Sequence, residues 1–270
     1  MIYVLIVIYN KKCNDSLSYK SIVRYHNQVN IIIFDNSEQD FENKRFCLEN
    51  DIVYYSFNKN VGLSKAYNFV ISNIKRSKNN YLVILDDDTV LNKNYIDKII
   101  ENKNNNKKVY VPIVKSNNKI ISPANIKYNC RVTAIKNIED INVKKMTAIN
   151  SGMIIRTDVF NDILYNEKIF LDYVDHDFCR KLRKYNIEIE ILESEITQSF
   201  SRDDVNQEMK KVIKRYKIYI KDIKEFCKIN VISKLYYFIN VLKLTFKYTY
   251  QYKSFKFLKL LLNKGYKDEK

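Results

Sequence analysis

Short runs of consecutive apolar residues mark the first half of the chain, and polar residues end each run. Four of these runs, at residues 2–8, 31–34, 52–57 and 81–85, have the length of β-strands. Unbroken apolar runs of this kind are typical of parallel strands buried on both faces. In the intervening residues 62–75, apolar side chains recur near one face of a helix. This alternation predicts a doubly wound α/β sheet.

The second half begins with further strand patterns and then becomes helical. It predicts three strands and a short helix, at 109–114, 131–135, 146–155 and 177–185. Beyond about Asp204 the helical pattern is continuous, and no internal repeat is visible. The chain therefore divides into an α/β domain, residues 1–204, and a helical extension, residues 205–270.

Composition identifies the class of protein. The chain has 270 residues, of which 46% are hydrophobic, so it has enough apolar side chains for an enzyme-sized core and is not disordered. The five cysteines are scattered and odd in number, without a C-x-x-C pair, which argues against a disulfide framework or a zinc cluster. A reducing cytoplasm fits this usage. The opening apolar run lacks a basic leader and a cleavage site, so we interpret it as a strand and expect no export.

Positive charge is concentrated in the C-terminal extension. The net charge is +16, and residues 205–270 hold 17 Lys and Arg against 5 Asp and Glu, which leaves only +4 for residues 1–204. Apolar residues recur there at helical spacing, and a second aromatic stretch spans 235–246. Its longest uncharged run, between Lys234 and Lys243, is too short to span a bilayer. The extension therefore lies on a membrane surface, or it packs on the α/β domain with its lysines in solvent.

Polar residues at the ends of three predicted strands are candidates for a ligand site, because open α/β sheets bind ligands outside the carboxyl ends of their strands. These residues are Tyr9 and Asn10, then Asp35, Asn36 and Ser37, then Asp86, Asp87 and Asp88. Each group could also be a solvated turn. The aspartate triplet is more specific, since three adjacent carboxylates repel one another unless a cation compensates. A D-x-D pair that shares Mg²⁺ with substrate phosphates satisfies this requirement, with an exposed acidic loop as the alternative.

Glycine is rare enough in this chain for its placement to be informative. Of the three glycines, Gly62 lies at the start of a predicted helix, after Asn60, where free amides and the helix dipole suit a diphosphate. Gly152 follows Ser151 inside a predicted strand, where glycine marks a close approach of a ligand or a bulge. An ordinary helix entry and a simple bulge remain the alternatives.

A second acidic cluster precedes the short helix. Asp172, Asp175 and Asp177 lie within six residues, and Arg180 follows one helical turn after Asp177. Acids at a helix start also serve as caps and as partners of the dipole. A carboxylate here could instead act as a general base that deprotonates an attacking hydroxyl.

The order and spacing of these motifs resemble the family 2 glycosyltransferases. The motifs are a strand ending in Tyr-Asn, Asp-Asn-Ser, Asn-x-Gly-x-Ser-x-Ala-x-Asn, Leu-Asp-Asp-Asp-Thr, Ser-Gly and Asp-Tyr-Val-Asp-x-Asp-Phe-Cys-Arg. The resemblance covers roughly residues 1–200 and is greatest to rhamnosyltransferase-like bacterial enzymes of surface-polysaccharide synthesis, such as capsule or O-antigen. It implies a GT-A fold, which is a Rossmann-like mixed sheet flanked by helices, here with a basic helical C-terminal extension.

The resemblance also implies an inverting transfer from a nucleotide-diphosphate sugar, dTDP-rhamnose or a UDP-hexose, to a saccharide or a lipid-linked acceptor. Residues implied at the nucleotide sugar are Tyr9, Asn10, Asp35, Asn60, Gly62, Asp86, Ser151 and Gly152. Asp88 and Asp86 are implied to bind Mg²⁺ or Mn²⁺. Asp175 is implied as the catalytic base, with Asp177 as the second candidate. The implied location is the cytoplasm, on the inner face of the plasma membrane.

One position departs from the family pattern. Relatives often carry a metal-binding histidine after the base region, whereas the equivalent segment here has Gln198. An amide oxygen is a weaker ligand for transition metals but is acceptable to Mg²⁺.

Two other functions compete with sugar transfer. A nucleic-acid-binding protein could use the Tyr and Lys residues of the extension, although it leaves both acidic clusters unexplained. A nucleotidyltransferase would need a basic glycine-rich loop that the sequence lacks.

Overall fold

The computed structural model of the protein describes residues 1–101, 107–198 and 208–262. Its strands are β1 (Ile2–Ile8), β2 (Asn30–Asp35), β3 (Val53–Ser56), β4 (Tyr81–Asp86), β5 (Thr89–Val90), β6 (Val109–Ser116), β7 (Lys119–Ser122), β8 (Ala124–Lys127), β9 (Arg131–Thr133), β10 (Met146–Thr147), β11 (Met153–Arg156) and β12 (Ile189–Gln198). Its α-helices are α1 (Leu17–Ile22), α2 (Asn43–Glu49), α3 (Leu63–Asn73), α4 (Lys93–Glu101), α5 (Val174–Lys184), α6 (Met209–Phe226), α7 (Val231–Gln251) and α8 (Lys256–Leu262).

The four apolar runs of the first half form four parallel strands, as the sequence predicts, and the structure shows their order to be β3, β2, β1, β4. All residues of β1 except Tyr3 are buried, because helices cover both faces of the strand. The register pairs Ile8 with Asp35 on one side of β1 and Val7 with Asp86 on the other. The polar ends of β2 and β4 therefore flank the end of β1.

The second half makes the sheet mixed. The strand β11 runs antiparallel to β4 and β6, and β12 runs parallel to β6, which extends the order to β4-β11-β6-β12-β5. The sequence pattern does not predict β12, because glutamates interrupt its apolar residues. Burial alternates along its second half instead, and this period of two is the signal for such a strand.

The single strand predicted for residues 146–155 is wrong in its middle. Residues 146–147 form β10, which pairs with β8 in a separate three-stranded sheet, whereas β11 belongs to the main sheet. Between the two strands the backbone turns at Gly152, where φ is +79°. The residues before β11 therefore reach the carboxyl end of β4.

The C-terminal helices pack on the α/β core. Ile223 and Phe226 of α6 and Val241 of α7 are buried in the largest hydrophobic cluster, together with side chains of α3 and α5. Val212 and Tyr216 of α6 form a smaller cluster with Phe257 of α8. The predicted domain boundary at 204/205 falls outside the described residues. Within the part of the chain that is described, no helix is long and apolar enough to cross a bilayer.

Replacement of Phe226 by alanine tests how firmly α6 is attached. The ring of Phe226 is fully buried, stacks on Tyr173 at 4.7 Å and lies under the Arg180 guanidinium at 4.4 Å. We expect Phe226→Ala to lower the free energy of unfolding by about 3–5 kcal/mol, because it leaves a cavity in the core. Urea unfolding measures this change.

The matched control is Phe238→Ala in α7, where the side chain is 60% exposed. We expect its effect to stay within about 0.5 kcal/mol. Equal effects of the two substitutions would show that α6 does not share the core of the α/β domain.

Candidate active site

The carboxyl ends of β1, β2 and β4 bring the first group of predicted residues together. Tyr9 and Asn10 follow β1, Asp35 ends β2, and Asp86 ends β4. Asn10 adopts a left-handed conformation with φ of 51°, and its backbone N–H donates to Ser37 Oγ at 2.8 Å. The loops after β1 and β2 are thereby joined at the edge of the sheet, where open α/β sheets bind ligands.

Asp35 is buried in a network of hydrogen bonds at this edge. Its Oδ2 accepts from Asn43 Nδ2 at 2.7 Å and from the Tyr54 hydroxyl at 3.2 Å, while Oδ1 accepts from the Ser37 N–H at 3.0 Å. Asn43 in turn holds the loop after β1, since it accepts from the Cys13 N–H at 2.7 Å and donates to the Lys11 carbonyl. No sequence motif points to Asn43 or Tyr54. These bonds fix the Asp35 carboxylate in one orientation.

Hydrogen bonds from residues at the start of α1 hold the backbone of the aspartate triplet. The Leu17 N–H donates to the Asp87 carbonyl at 2.9 Å, and the Ser16 hydroxyl donates to the same oxygen at 3.0 Å. The Asp87 side chain forms an ion pair with Lys11 Nζ at 3.1 Å. The middle carboxylate of the triplet is therefore neutralised by the protein, and the outer two remain.

Gln198 lies between these outer carboxylates. Its Nε2 donates to Asp86 Oδ2 at 2.9 Å and to Asp88 Oδ1 at 3.1 Å, and the Ser151 hydroxyl also donates to Asp86 Oδ2. Gln198 reaches this position because it ends β12 and pairs with Thr89 of β5, directly after the triplet. The Gln198 NH₂ group therefore occupies the position at which a cation would compensate the negative charges of Asp86 and Asp88.

The pKa of Asp86 is raised to about 6, chiefly by burial and also by the nearby charge of Asp88, against the opposing effect of the hydrogen bonds from Ser151 and Gln198. The Asp86 carboxyl group therefore holds a proton in acidic solution. A cation that binds there has to displace that proton below about pH 6.

The side chains of Asp86, Asp88 and Gln198 also fit a divalent cation. Gln198 Oε1 is buried and has no hydrogen-bond partner among the described residues. Rotation of the amide group by half a turn exchanges Oε1 with Nε2, so it would direct an oxygen at the gap between the two carboxylates. No group of three or more His, Cys, Asp or Glu residues suited to a metal occurs in the described ranges. Two carboxylates and one amide oxygen form a ligand set for a hard cation that shares further positions with phosphate oxygens.

Close packing explains why glycine occupies positions 62 and 152. A Cβ atom at Gly62 would lie 2.6 Å from the Phe170 ring, and one at Gly152 would lie 2.6 Å from Pro112. The Gly62 N–H donates to Asn60 Oδ1 at 3.0 Å, and the Leu63 N–H donates to the Phe170 carbonyl at 2.7 Å. These two amides at the start of α3 are therefore already bonded within the protein, so the expectation of free amides at Gly62 is wrong.

The three acids of the second cluster have different environments. Asp172 is buried and forms a bidentate ion pair with Arg215 of α6. The Asp177 side chain is 3% exposed, forms an ion pair with Arg180 and lies 3.7 Å from Lys181 Nζ. The Asp175 side chain is 21% exposed, and its Oδ1 accepts from the His176 N–H at 2.7 Å. In the described part of the chain, no lysine or arginine pairs with Asp175.

A buried tyrosine, Tyr67, feels the charge of one carboxylate from each acidic cluster. The pKa of Tyr67 is raised by its burial and then by the charges of Asp86 and Asp175, so both carboxylates lie within electrostatic reach of its hydroxyl. Tyr165 packs against the Tyr67 ring at 4.9 Å and donates to Asn150 Oδ1 at 3.2 Å. The sequence motifs assign no role to Tyr67 or Tyr165, although Tyr67 lies within the Asn60 to Asn68 motif.

Comparison with known proteins identifies the family of the chain. The profile of the family described as Glycosyl transferase family 2 matches residues 3–164. The dTDP-rhamnosyl transferase RfbF of Shigella flexneri is 24% identical over 196 residues, which are 71% of this chain and 66% of that protein. The chain thus spans about two thirds of the length of this relative.

Solved structures of similar fold include GalNAc-T7 with UDP, GalNAc and Mn²⁺, at a TM-score of 0.59 and 11% identity over 83% of this chain and 47% of that chain. Glucosyl-3-phosphoglycerate synthase from Mycobacterium tuberculosis, in complex with Mn²⁺, UDP and glucosyl-3-phosphoglycerate, has a TM-score of 0.54 and 8% identity over 85% and 81% of the two chains.

The similarity to these structures confirms the GT-A fold that the sequence motifs imply. The family profile covers more than half of the chain and includes the ends of β1, β2 and β4. It favours sugar transfer over nucleic-acid binding and nucleotidyl transfer. The protein is therefore an enzyme that belongs to glycosyl transferase family 2.

Proposed function

We propose that the protein is an inverting glycosyltransferase that moves a sugar from dTDP-rhamnose or a UDP-hexose to a saccharide or lipid-linked oligosaccharide. The product belongs to a cell-surface polysaccharide such as capsule or O-antigen. The observation that carries the proposal is the cluster of Asp86, Asp88 and Gln198 at the carboxyl edge of the sheet, where the charges of Asp86 and Asp175 both act on the buried Tyr67 hydroxyl. The name of the relative RfbF supports dTDP-rhamnose, and the complexes of the structural neighbours with UDP and Mn²⁺ support a metal-assisted donor site.

Asp88, Asp86 and the amide oxygen of Gln198 would hold Mg²⁺ or Mn²⁺. When bound, the cation supplies positive charge to the departing diphosphate. Asp35 has lone pairs left on Oδ1 and suits an N–H of the nucleotide base, and Tyr9 and Asn10 border the same loop. Asn60 and Gly62 shape the floor below the nucleotide, and Ser151 and Gly152 form the loop beside the donor sugar.

Asp175 would act as the general base. Its carboxylate takes the proton of an acceptor hydroxyl as that oxygen attacks the anomeric carbon of the donor. The new C–O bond forms on the face opposite the diphosphate, whose bond to the anomeric carbon breaks, so the configuration inverts. Asp175 suits this role better than Asp177, because the Asp177 carboxylate is buried against Arg180. The Asp175 carboxylate is more exposed, and its charged neighbour among the described residues is His176, with 3.9 Å between Oδ1 and Nε2.

Replacement of Asp88 tests the metal site. We expect Asp88→Ala to abolish the Mn²⁺-dependent thermal stabilisation of the protein by UDP or dTDP, because a hard cation loses one of its two carboxylates. The assay compares melting temperatures with dTDP-rhamnose, UDP-glucose, UDP and dTDP, each with and without Mn²⁺.

The control is Asp87→Asn, since the Asp87 carboxylate is occupied by Lys11. We expect this variant to keep most of the stabilisation. If Asp88→Ala binds nucleotide as wild type does and releases nucleoside diphosphate at the wild-type rate, the metal assignment is wrong.

Replacement of Asp175 tests the base. We expect Asp175→Asn to keep donor binding and to lower the rate of nucleoside diphosphate release by a factor of about 10²–10⁴, the scale of a lost general base. The rate is measured on the donor that stabilises the protein in the thermal assay, with water as acceptor.

Asp177→Asn is the comparison variant. It removes one partner of a buried ion pair, so we expect a lower melting temperature and a nearly normal rate per folded molecule. A large loss of rate in Asp177→Asn together with a normal rate in Asp175→Asn would exchange the two roles.

The proposed location is the inner face of the plasma membrane, and α7 is the element that supports it. Eight large apolar residues on α7 are between 39% and 88% exposed: Val231, Ile232, Leu235, Phe238, Ile239, Leu242, Phe246 and Tyr250. At about 100° per residue they occupy roughly a third of the helix circumference. We call these eight residues the apolar stripe.

The remaining surface of α7 fits the same proposal. Lys234 flanks the apolar stripe on one side, and Lys243 and Lys247 flank it on the other. The buried residues of α7, Ser233, Val241 and Thr245, lie outside the apolar stripe. A helix with an exposed apolar face between lysines suits the interface of an anionic bilayer. Packing of the extension and membrane attachment are therefore compatible, since different faces serve each of them.

A triple substitution in the stripe tests this attachment. We expect Leu235→Ser/Phe238→Ser/Phe246→Ser to stop the intact protein from sedimenting with phosphatidylglycerol vesicles at low salt, because it removes most of the apolar contact. Wild-type binding should weaken in high salt, which screens the lysines. Vesicle co-sedimentation measures both effects.

Leu48→Ser is the control, because Leu48 is 79% exposed on α2, outside the stripe. We expect it to bind vesicles as wild type does. Absence of wild-type binding to anionic vesicles at low salt, or a stable dimer that the triple substitution dissociates, would exclude the membrane role.

A further inference from the structure

A single carboxylate of α6 holds the segment that leads into α5. Asp222 is buried, and it accepts three consecutive backbone N–H groups: Phe170 donates to Oδ1 at 2.8 Å, and Leu171 and Asp172 donate to Oδ2 at 2.8 Å each. The helix α5 begins two residues later, and Asp175 lies in its first turn. Hydrogen bonds from backbone N–H groups to a charged carboxylate are among the strong ones in proteins.

Two further contacts attach α6 to the same region. Arg215, two turns before Asp222 on α6, forms a bidentate ion pair with Asp172, with 2.6 Å between Nη2 and Oδ1. At the other end of α6, the Phe226 carbonyl accepts from Arg180 Nη1 at 2.8 Å. The helix α6 therefore bonds to the chain on both sides of Asp175, at the residues before α5 and in the second turn of α5.

The segment of residues 170–172 also contacts the nucleotide side of the site. The Phe170 carbonyl accepts from the Leu63 N–H at 2.7 Å, and the Phe170 ring packs against Gly62 at the start of α3. The segment is thus fixed between α3 and α6. Its position sets the distance from the first turn of α5 to the donor side of the site.

These bonds differ from the contacts that merely dock α6. Docking is provided by Ile223 and Phe226 in the core and by the hydroxyl contact of Tyr216 with Thr245 of α7. Asp222 and Arg215 bond to an irregular segment, whose backbone N–H groups have no helix or strand to satisfy them. They constrain backbone position, which apolar contacts do poorly because those are not directional.

We infer that Asp222, assisted by Arg215, is a positioning residue for the catalytic base, so that the C-terminal helix α6 sets where Asp175 stands relative to the donor sugar. The inference rests on the proposed role of Asp175. It makes α6 part of the catalytic apparatus, although α6 lies outside the residues that the family profile matches.

The variant Asp222→Asn keeps the shape of the side chain, but an NH₂ group replaces one carboxylate oxygen. At least one backbone N–H then faces a donor and loses its hydrogen bond. We expect donor KM to be unchanged and kcat for nucleoside diphosphate release to fall about 100-fold, the scale of a displacement of about 1 Å at a reacting group. Tyr216→Phe is the matched control on α6, since it removes a buried hydroxyl contact that does not touch residues 170–172. It should leave kcat unchanged.

A double-mutant cycle separates positioning from general damage. If Asp222 acts through Asp175, adding Asp222→Asn to Asp175→Asn should lower kcat by less than about threefold, because the base is already absent. A further 100-fold loss in the double variant would overturn the inference. So would a wild-type kcat in Asp222→Asn alone while Asp175→Asn is slow. A wild-type rate in Asp175→Asn would instead refute the proposed base, and the inference with it.

Hydrogen exchange gives a readout that does not depend on activity. In full-length Asp222→Asn, we expect the amides of residues 170–177 to exchange at least tenfold faster than in wild type, while those of β1 and β4 do not change. Tyr216→Phe should leave residues 170–177 as protected as in wild type. Unaltered exchange of residues 170–177 in Asp222→Asn would overturn the inference.

Discussion

The parallel pairing of β1 with β2 and β4 is the constraint on which the site depends. Side chains at the ends of neighbouring parallel strands point to the same edge of the sheet, and the register places Asp35 and Asp86 on either side of the end of β1. A shift of one residue in either pairing would turn the carboxylate to the other face of the sheet. Because the strands are buried on both faces, their apolar side chains fix this register. The core therefore sets the geometry of the acidic edge.

The constraint also explains which parts of the site the sequence predicts. Asp35, Asp86 and Asp88 are recognisable because they end unbroken apolar runs, and that pattern is local in the chain. Asn43 and Tyr54 are not, since they meet Asp35 only after α2 and β3 have folded back beside β2. The strand β12 has a local pattern of another kind, an alternation of glutamates with buried residues, which a search for unbroken apolar runs misses. Contacts between elements distant in sequence leave no such pattern.

The Gln198 amide group meets two requirements at the edge of the sheet where Asp86 and Asp88 lie. Two carboxylates without a cation repel each other, and the Gln198 NH₂ group between them relieves that cost through two hydrogen bonds. The same side chain keeps a buried oxygen without a partner among the described residues, which costs free energy unless a cation recruits it. An imidazole could not exchange a donor for an oxygen acceptor in this way. The amide thus suits a site that alternates between a metal-free state and a state with a hard cation and a diphosphate.

The C-terminal helices connect this edge to the outside of the protein. The helix α6 bonds to the segment before the proposed base through Asp222, and it packs on α7 through the contact of Tyr216 with Thr245. The helix α7 in turn carries the apolar stripe on its free face. Two packed helices therefore separate the surface proposed to contact the membrane from residues 170–172, which precede the proposed base.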